Sequence, residues 1–284
     1  MGMLRDRWSA QRYLCVGLDP DPTKLPAVLK SRYAGVEEVL YRFLADIVEA
    51  TATMAACYKP NLAFFLRYGE EGPRALSRLL PHIWATAPGV PVILDAKWAD
   101  IGRTNEGYAE LAFKVLAADA ITLHPYLGQK ALEPFLRRPD KGFFVLCRTS
   151  NPGAGEFQDL QVREHDEPLA SNVSLYQYVA RRVAERWNAA GNCGLVVGAT
   201  YPDELGQVRK IVGDLPILLP GLGTQGGDLE QSLKNGMGKD SFALVPVSAS
   251  GIIHASQGED YAQAAEQAAR TLHEAITAFR SVPA

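Results

Sequence analysis

The sequence predicts a (β/α)8 barrel of the TIM type, formed by a single domain over residues 1–284. Three observations favour this fold. Short apolar runs alternate with longer amphipathic stretches from one end of the chain to the other. Eight such pairs can be counted, and alternating strands and helices of this kind build parallel sheets. The chain has 284 residues, which is the usual size of this barrel, and no linker-like segment divides it.

The predicted elements follow from periodicity. Apolar or β-branched runs predict strands near 13–18, 55–60, 91–95, 119–123, 142–147, 193–198, 215–219 and 242–247. Apolar residues spaced three and four apart predict helices near 36–53, 71–86, 104–117, 129–137, 172–190, 202–212, 227–235 and 259–280. The polar segment 149–171 is too long for an ordinary connection. It is predicted to be a lid over the site, with a surface insertion as the alternative.

An open, doubly wound sheet is the rival architecture. The segment from Gly221 to Gly226 matches the GxGxxG pattern of dinucleotide-binding folds. That pattern belongs after the first strand of a nucleotide-binding half, whereas here it follows the seventh of eight strands. In a barrel, the loops after strands 7 and 8 commonly bind phosphate. We therefore interpret these glycines as a phosphate site, with dinucleotide binding as the alternative.

Composition limits the classes of partner. The chain is 47% hydrophobic and 21% charged, with a formal charge of −3. It has no overall basic field for nucleic acid or an anionic membrane, so a small-molecule partner is expected. Apolar runs are shorter than the ~20 residues that span a bilayer, and the N-terminal segment has no apolar signal core. We expect no nucleic-acid or membrane partner and a cytoplasmic protein.

The cysteines and histidines give no pattern typical of a metal site. Cysteines occur within apolar runs, at Cys15, Cys57, Cys147 and Cys193. Such residues are expected to be reduced, buried thiols. The five histidines show no HExxH motif or paired spacing. Neither a disulfide nor a metal is predicted.

The third predicted strand ends in unusual charges. Asp95 and Lys97 are two residues apart, so on a regular strand they point to the same side, and Asp100 follows where the chain leaves the strand. Lys59 lies at the end of the second strand, and a lysine buried there requires an acidic partner. A solvated strand end with incidental salt bridges is the alternative. Because chemistry in these barrels gathers at the C-terminal strand ends, we interpret the charges as a candidate active site.

These residues carry a family resemblance. The segment Asp95-Ala-Lys97-Trp-Ala-Asp100-Ile101, together with Lys59, resembles the Lys/Asp/Lys/Asp array of orotidine 5'-phosphate decarboxylases. The segments GLDPDP, YKPNLAFF, RTSNPG, PGLGTQGGD and SGIIHAS resemble the longer bacterial subgroup, in order along nearly the whole chain. The resemblance implies a (β/α)8 barrel, a homodimer, no cofactor, and conversion of orotidine 5'-phosphate to UMP and CO₂ in pyrimidine biosynthesis.

The resemblance also assigns roles. It implies a catalytic network of Lys59, Asp95, Lys97 and Asp100, in which Lys97 donates the proton. Substrate-binding positions carried over in the same way are Asp19, Ile101, Thr104, Ser150, Gly223, Gln225 and Ser250. Asp100 and Thr104 are expected to reach into the site of the second subunit.

Departures from the family pattern keep alternatives open. Ser250 stands where the subgroup usually has a phosphate-binding arginine. Arg148 and Arg163 are candidate replacements for that charge. One alternative is a related decarboxylase or lyase of the same suprafamily, acting on another nucleoside, nucleotide or sugar phosphate, generally with magnesium. Another is a non-catalytic nucleotide-binding protein. A Schiff-base lysine is disfavoured, because the carboxylates beside Lys97 should keep it protonated.

Overall fold

A computed structural model of the chain describes residues 1–163, 172–222, 228–238 and 243–280. Its strands are β1 (Leu14–Leu18), β2 (Ala55–Pro60), β3 (Ile93–Trp98), β4 (Ala120–Leu123), β5 (Gly142–Arg148), β6 (Gln161–Arg163), β7 (Asn172–Ser174), β8 (Cys193–Val197), β9 (Ile217–Leu219) and β10 (Leu244–Ser248). Eight of these strands form one sheet in the order β2-β1-β10-β9-β8-β5-β4-β3. The sheet is that of a (β/α)8 barrel, which confirms the predicted fold class.

Helices follow the strands. They are α1 (Gly2–Ser9), α2 (Ala27–Arg32), α3 (Val36–Thr51), α4 (Leu62–Leu66), α5 (Glu71–Thr86), α6 (Gly102–Glu110), α7 (Gly128–Leu136), α8 (Gly155–Gln158), α9 (Leu175–Arg182), α10 (Pro202–Val212), α11 (Leu229–Gly236), α12 (Ser250–Ile253) and α13 (Tyr261–Arg280). Single π-helical turns, Leu111–Val115 and Val183–Trp187, continue α6 and α9. The eight predicted strands and eight predicted helices are all confirmed, with ends shifted by a few residues. The other elements are mostly too short to show a period.

Contacts along the chain define two compact units. Unit 1 consists of Met1, Lys97–Ala109 and Thr122–Val245, and unit 2 consists of Gly2–Ala96, Glu110–Ile121 and Pro246–Ala284. The expectation of a single domain over residues 1–284 stays a prediction.

In unit 2, β1 pairs in parallel with β2 on one side and with β10 on the other. Every residue of β1 and β2 is buried, as is typical of parallel strands covered by helices. Val39, Phe43 and Ile47 recur every four residues on α3, and all three are buried. Isolated bridges from Tyr58 to Val92 and from Asn61 to Asp95 bring the end of β2 beside β3.

In unit 1, β5 pairs in parallel with β8, and β8 pairs with β9. Arg209, buried on α10, donates hydrogen bonds to the carbonyl oxygens of Leu215 and Ala243, each at 2.8 Å. Burial lowers the pKa of Arg209 to about 10. This arginine therefore satisfies backbone groups at the ends of β-strands rather than binding an outside anion.

The part of the polar segment 149–171 that the structure describes contains α8 and the strand β6, which pairs antiparallel with β7. The prediction of a lid remains untested there. All four cysteines are free and buried, as predicted. Within the described ranges, no helix has the length and apolarity to cross a membrane, and no cluster of three or more His, Cys, Asp or Glu side chains could hold a metal ion.

Candidate active site

A buried ion pair joins the ends of β2 and β3 in unit 2. Lys59 Nζ lies 3.0 Å from Asp95 Oδ2, and the two side chains are only 5% and 8% exposed. The backbone explains how they meet, since Asn61 bridges to Asp95 directly after Lys59 and Pro60. Because water hardly reaches these two charges, their mutual attraction and hydrogen bond must replace the stabilisation that solvent would give.

Asp19 adds a second negative charge beside Lys59. Burial alone lowers the pKa of Lys59, but the carboxylates of Asp19 and Asp95 raise it more, so the net shift is upward. Lys59 therefore stays protonated at neutral pH. It can fix and orient carboxylates or bind a hydroxyl group, but it is a poor general base or amine nucleophile.

The loop after β1 is tied to the segment after β10. The backbone N–H of Asp21 donates to His254 Nε2 at 3.3 Å, and the His254 ring stacks on Phe43 at 5.6 Å between centroids. Burial lowers the pKa of His254, which favours the neutral ring that accepts this bond. Sequence reasoning missed this residue, because a single histidine after a strand carries no spacing signal.

Glycine allows a close approach at the same place. A Cβ atom on Gly17 would lie 2.5 Å from the Cβ of Ala249, so only glycine fits at this position of β1. Ser250 follows Ala249 directly and is the first residue of α12. Asp19 and Ser250, both predicted to bind substrate, thus belong to strand-end segments that pack against each other within unit 2.

Lys97 has an uncommon backbone conformation in unit 1. Its φ angle is 51°, in the left-handed region, and its N–H donates to Thr122 Oγ1 at 2.9 Å. A residue other than glycine in this region costs about 1–2 kcal/mol. The regular strand geometry on which the predicted alternation of side chains depends is therefore interrupted at this lysine, one residue before β3 ends. Strain of this kind is often retained at functional sites.

Asp100 precedes α6, and its side chain turns back onto the backbone of the next residue. Its Oδ1 accepts the N–H of Ile101 at 2.6 Å, and the Ile101 carbonyl accepts the N–H of Thr104 at 2.9 Å. The Ile101 side chain is apolar, yet the residue is 67% exposed. The structure thus brings three predicted site residues together on one turn, with an exposed hydrophobic residue at its centre.

Ser150 lies where β5 passes close to β8. A Cβ atom on Gly198 would come within 2.6 to 2.8 Å of the backbone N, Cα and Cβ of Ser150. The neighbouring Thr149 is held by Gln158, whose Oε1 accepts the Thr149 N–H at 2.9 Å. Gly198 thus permits the close approach of Ser150, and Gln158 holds the residue before it; sequence reasoning singled out neither.

The side chain of Arg148 is already engaged in contacts near Ser150. Its guanidinium is buried, pairs with Asp159 at 3.2 Å and lies 3.9 Å from the centre of the Tyr201 ring. Arg163 is the other candidate cation and lies on the exposed strand β6. Two predicted phosphate-binding residues, Gly223 and Gln225, lie outside the described residues.

Comparison with known proteins identifies the family. Residues 12–268 match the model of the orotidine 5'-phosphate decarboxylase / HUMPS family. The chain belongs to the orotidine 5'-phosphate decarboxylase family. A relative from Azoarcus sp. is 47% identical over 281 residues, covering 99% of each chain, and one from Roseiflexus castenholzii is 46% identical, covering 95% of this chain and 94% of that one. Both are named orotidine 5'-phosphate decarboxylase, a carboxy-lyase.

Solved structures agree with this assignment. The structure of Leishmania donovani OMP decarboxylase has a TM-score of 0.83 and 38% identity, covering 99% of this chain and 98% of that one. Leishmania donovani UMP synthase has the same TM-score at 40% identity, but this chain covers only 56% of it. The similarity to orotidine 5'-phosphate decarboxylases therefore extends over the whole of this chain, and the family expected from the sequence is confirmed.

Proposed function

We propose that this protein decarboxylates orotidine 5'-phosphate to UMP and CO₂ in pyrimidine biosynthesis, without a metal or cofactor, through Lys59, Asp95, Lys97 and Asp100. The observation that carries the proposal is the buried Lys59–Asp95 pair with Asp19 beside it, in a chain of this family. Such a pair is costly to bury. Retaining it at a strand end is consistent with catalysis.

The chemistry requires a fixed cation. Breaking the bond from C6 of the pyrimidine to the carboxylate leaves an electron pair on C6, and the departing group becomes neutral CO₂. In the proposal, the ammonium group of Lys97 stabilises that charge and then gives its proton to C6. Asp95 lies beside the substrate carboxylate in this proposal, and the two negative charges repel each other. The repulsion disappears as the carboxylate becomes neutral CO₂. Lys59 keeps Asp95 ionised and oriented.

Substrate contacts follow the family assignment. Asp19 and Lys59 would bind the ribose hydroxyl groups, Ser150 the pyrimidine edge, and Gly223, Gln225 and Ser250 the phosphate. Serine can donate one hydrogen bond to phosphate, but it lacks the charged fork of arginine. The geometry of Arg148, which is buried against Tyr201, argues that this arginine does not simply replace the missing charge.

We also propose a homodimer in which Asp100, Ile101 and Thr104 complete the partner's site. Support comes from Ile101, whose side chain is apolar and 67% exposed next to Asp100. A large hydrophobic residue so exposed is suited to burial by a second copy. Mixing inactive Asp100→Ala with inactive Lys97→Ala protein should restore one intact site per heterodimer. If activity does not return after verified subunit exchange, all four charged residues act within one chain.

A metal-free assay tests the function itself. Purified protein is dialysed against EDTA and incubated with orotidine 5'-phosphate while the orotate absorbance is followed. The proposal predicts full activity and stoichiometric UMP. Activity that requires added magnesium, or activity only on a sugar phosphate, would instead favour the related lyases of the suprafamily. Binding of UMP without any turnover would favour a nucleotide-binding protein.

A further inference from the structure

Asn105 on α6 binds both backbone polar groups of Asp100. Its side chain is completely buried. The Oδ1 atom accepts the Asp100 N–H at 2.9 Å, and Nδ2 donates to the carbonyl oxygens of Asp100 at 2.5 Å and Ala131 at 2.6 Å. One side chain therefore fixes the Asp100 backbone and anchors it to α7.

Only an amide of this length matches the three groups. The position requires one acceptor and two donors, which the carboxamide of asparagine provides. Aspartate at 105 would set carboxylate oxygens against two carbonyl oxygens, and alanine would leave one N–H and two carbonyls without these bonds. Buried backbone groups are nearly always paired, so either change must move the backbone or admit water.

We propose that Asn105 is a positioning residue for the decarboxylation, acting by holding Asp100 in its catalytic orientation; this inference rests on the proposed function. The Asp100 side chain bonds to the next backbone N–H, at Ile101, so its direction is set by the local backbone. Displacement of a reacting group by ~1 Å can lower the rate about 100-fold. Loss of the Asn105 bonds should therefore reduce turnover through Asp100.

A purely structural role for Asn105 predicts a different result. In that case, Asn105→Ala would destabilise the fold and affect every function in proportion to the unfolded fraction. Asn192 offers a matched control in the same unit. It is also a buried asparagine, and its Nδ2 donates to the carbonyl oxygens of Arg138 at 3.0 Å and Lys141 at 2.8 Å.

The test is a double-mutant cycle on kcat. Release of radiolabelled CO₂ is measured for Asn105→Ala, Asp100→Asn, the double variant, and Asn192→Ala in both backgrounds, per mole of folded protein. Asn105→Ala should lower kcat about 10- to 100-fold in the wild-type background and less than about 3-fold with Asp100→Asn. Asn192→Ala should change kcat less than about 3-fold in either the wild-type or the Asp100→Asn background. Equal losses from Asn105→Ala in both backgrounds would overturn the inference.

Hydrogen exchange gives a readout that does not depend on turnover. Exchange at the Asp100 amide should rise in Asn105→Ala, but not in Asn192→Ala. Asn105→Ser is measured in parallel in case the alanine variant does not fold. An inactive wild type with this exchange pattern would refute the decarboxylase proposal while leaving the tie between Asn105 and Asp100 intact. If Asn105→Ala changes neither the exchange rate of the Asp100 amide nor kcat, the positioning role is refuted.

Discussion

Lys59 Nζ and Asp95 Oδ2 lie 3.0 Å apart, with both side chains almost completely removed from solvent. Burial lowers the lysine pKa and the nearby carboxylates of Asp19 and Asp95 reverse that shift, so the charge on Lys59 depends on them. Removing Lys59 takes away the buried cation that lies 3.0 Å from the Asp95 carboxylate.

We expect Lys59→Met to lower the free energy of unfolding by about 3–5 kcal/mol, and Lys59→Met with Asp95→Leu to lower it less than the sum of the single changes. Urea unfolding of the single and double variants measures these free-energy changes. The surface pair Lys114–Glu110, 65% and 55% exposed, is the control, and breaking it should cost about 0.5 kcal/mol or less. Additive effects at Lys59 and Asp95 would show that the two are not energetically coupled.

Sequence reasoning predicted an acidic partner for Lys59, with Asp19, Asp95 and Asp100 as candidates, for a simple reason. Strand ends can be located from apolar runs, and a lysine at the end of one buried strand needs a carboxylate from a neighbour. The eight strands and eight helices were predictable on similar grounds, because the strands are short apolar runs and the helices show a clear amphipathic period. The long apolar and amphipathic stretches thus contained enough information to predict the barrel and the location of Lys59, Asp95 and Asp19.

Gly198→Ala should weaken substrate binding through Ser150. The added Cβ would come within 2.8 Å of the Ser150 backbone, so β5 and β8 must shift at their ends. We expect kcat/KM for orotidine 5'-phosphate to fall about tenfold or more, as for other small misplacements of a contact. Steady-state kinetics measures this effect.

Gly206→Ala is the control for that variant. On α10, the nearest atom to an added Cβ is 3.5 Å away, which is ordinary contact. This change should leave kcat/KM within about twofold and raise the free energy of unfolding by up to ~1 kcal/mol, because alanine favours helix more than glycine does. Equal kinetics for the two glycine variants would mean that the approach of Ser150 to β8 does not matter for catalysis.

Ser250→Arg should improve recognition of the phosphate. A charge-assisted hydrogen bond contributes about 1.5–3 kcal/mol, equivalent to roughly ten- to a hundredfold in kcat/KM. The gain is expected for orotidine 5'-phosphate and not for unphosphorylated orotidine. Comparing the two substrates in the wild type and the variant makes the test specific. An equal response of both would show that position 250 does not face the phosphate.

Other parts of the site could not be predicted, because they depend on tertiary contacts. Nothing in the sequence indicates the left-handed backbone of Lys97, because positions with a positive φ are usually occupied by glycine and not by lysine. Asn105 lies in a predicted helix, where periodicity treats it as an ordinary position, and His254 lies between the last predicted strand and the last predicted helix, where no period applies. Gln158 lies in a polar segment without a period, so its contact with Thr149 is visible only in three dimensions.

Lys97→Gly tests whether the backbone at position 97 is strained. Glycine adopts a φ angle of 51° without penalty, so the variant should be more stable than Lys97→Ala, by about 1 kcal/mol. Both variants should be inactive. Urea unfolding of the two proteins under identical conditions is the measurement, and lower stability of the glycine variant would show that the backbone at this position is not strained.

The most direct test of the account is kcat for orotidine 5'-phosphate in Lys97→Ala, measured in EDTA beside UMP affinity. If Lys97 stabilises the carbanion and donates the proton, kcat should fall about 10²- to 10⁴-fold or more, while UMP binding changes less than about tenfold. The unfolding midpoint should stay the same, because the side chain is exposed. A variant with normal kcat and only a raised KM would contradict the proposed role of Lys97 in the chemical step.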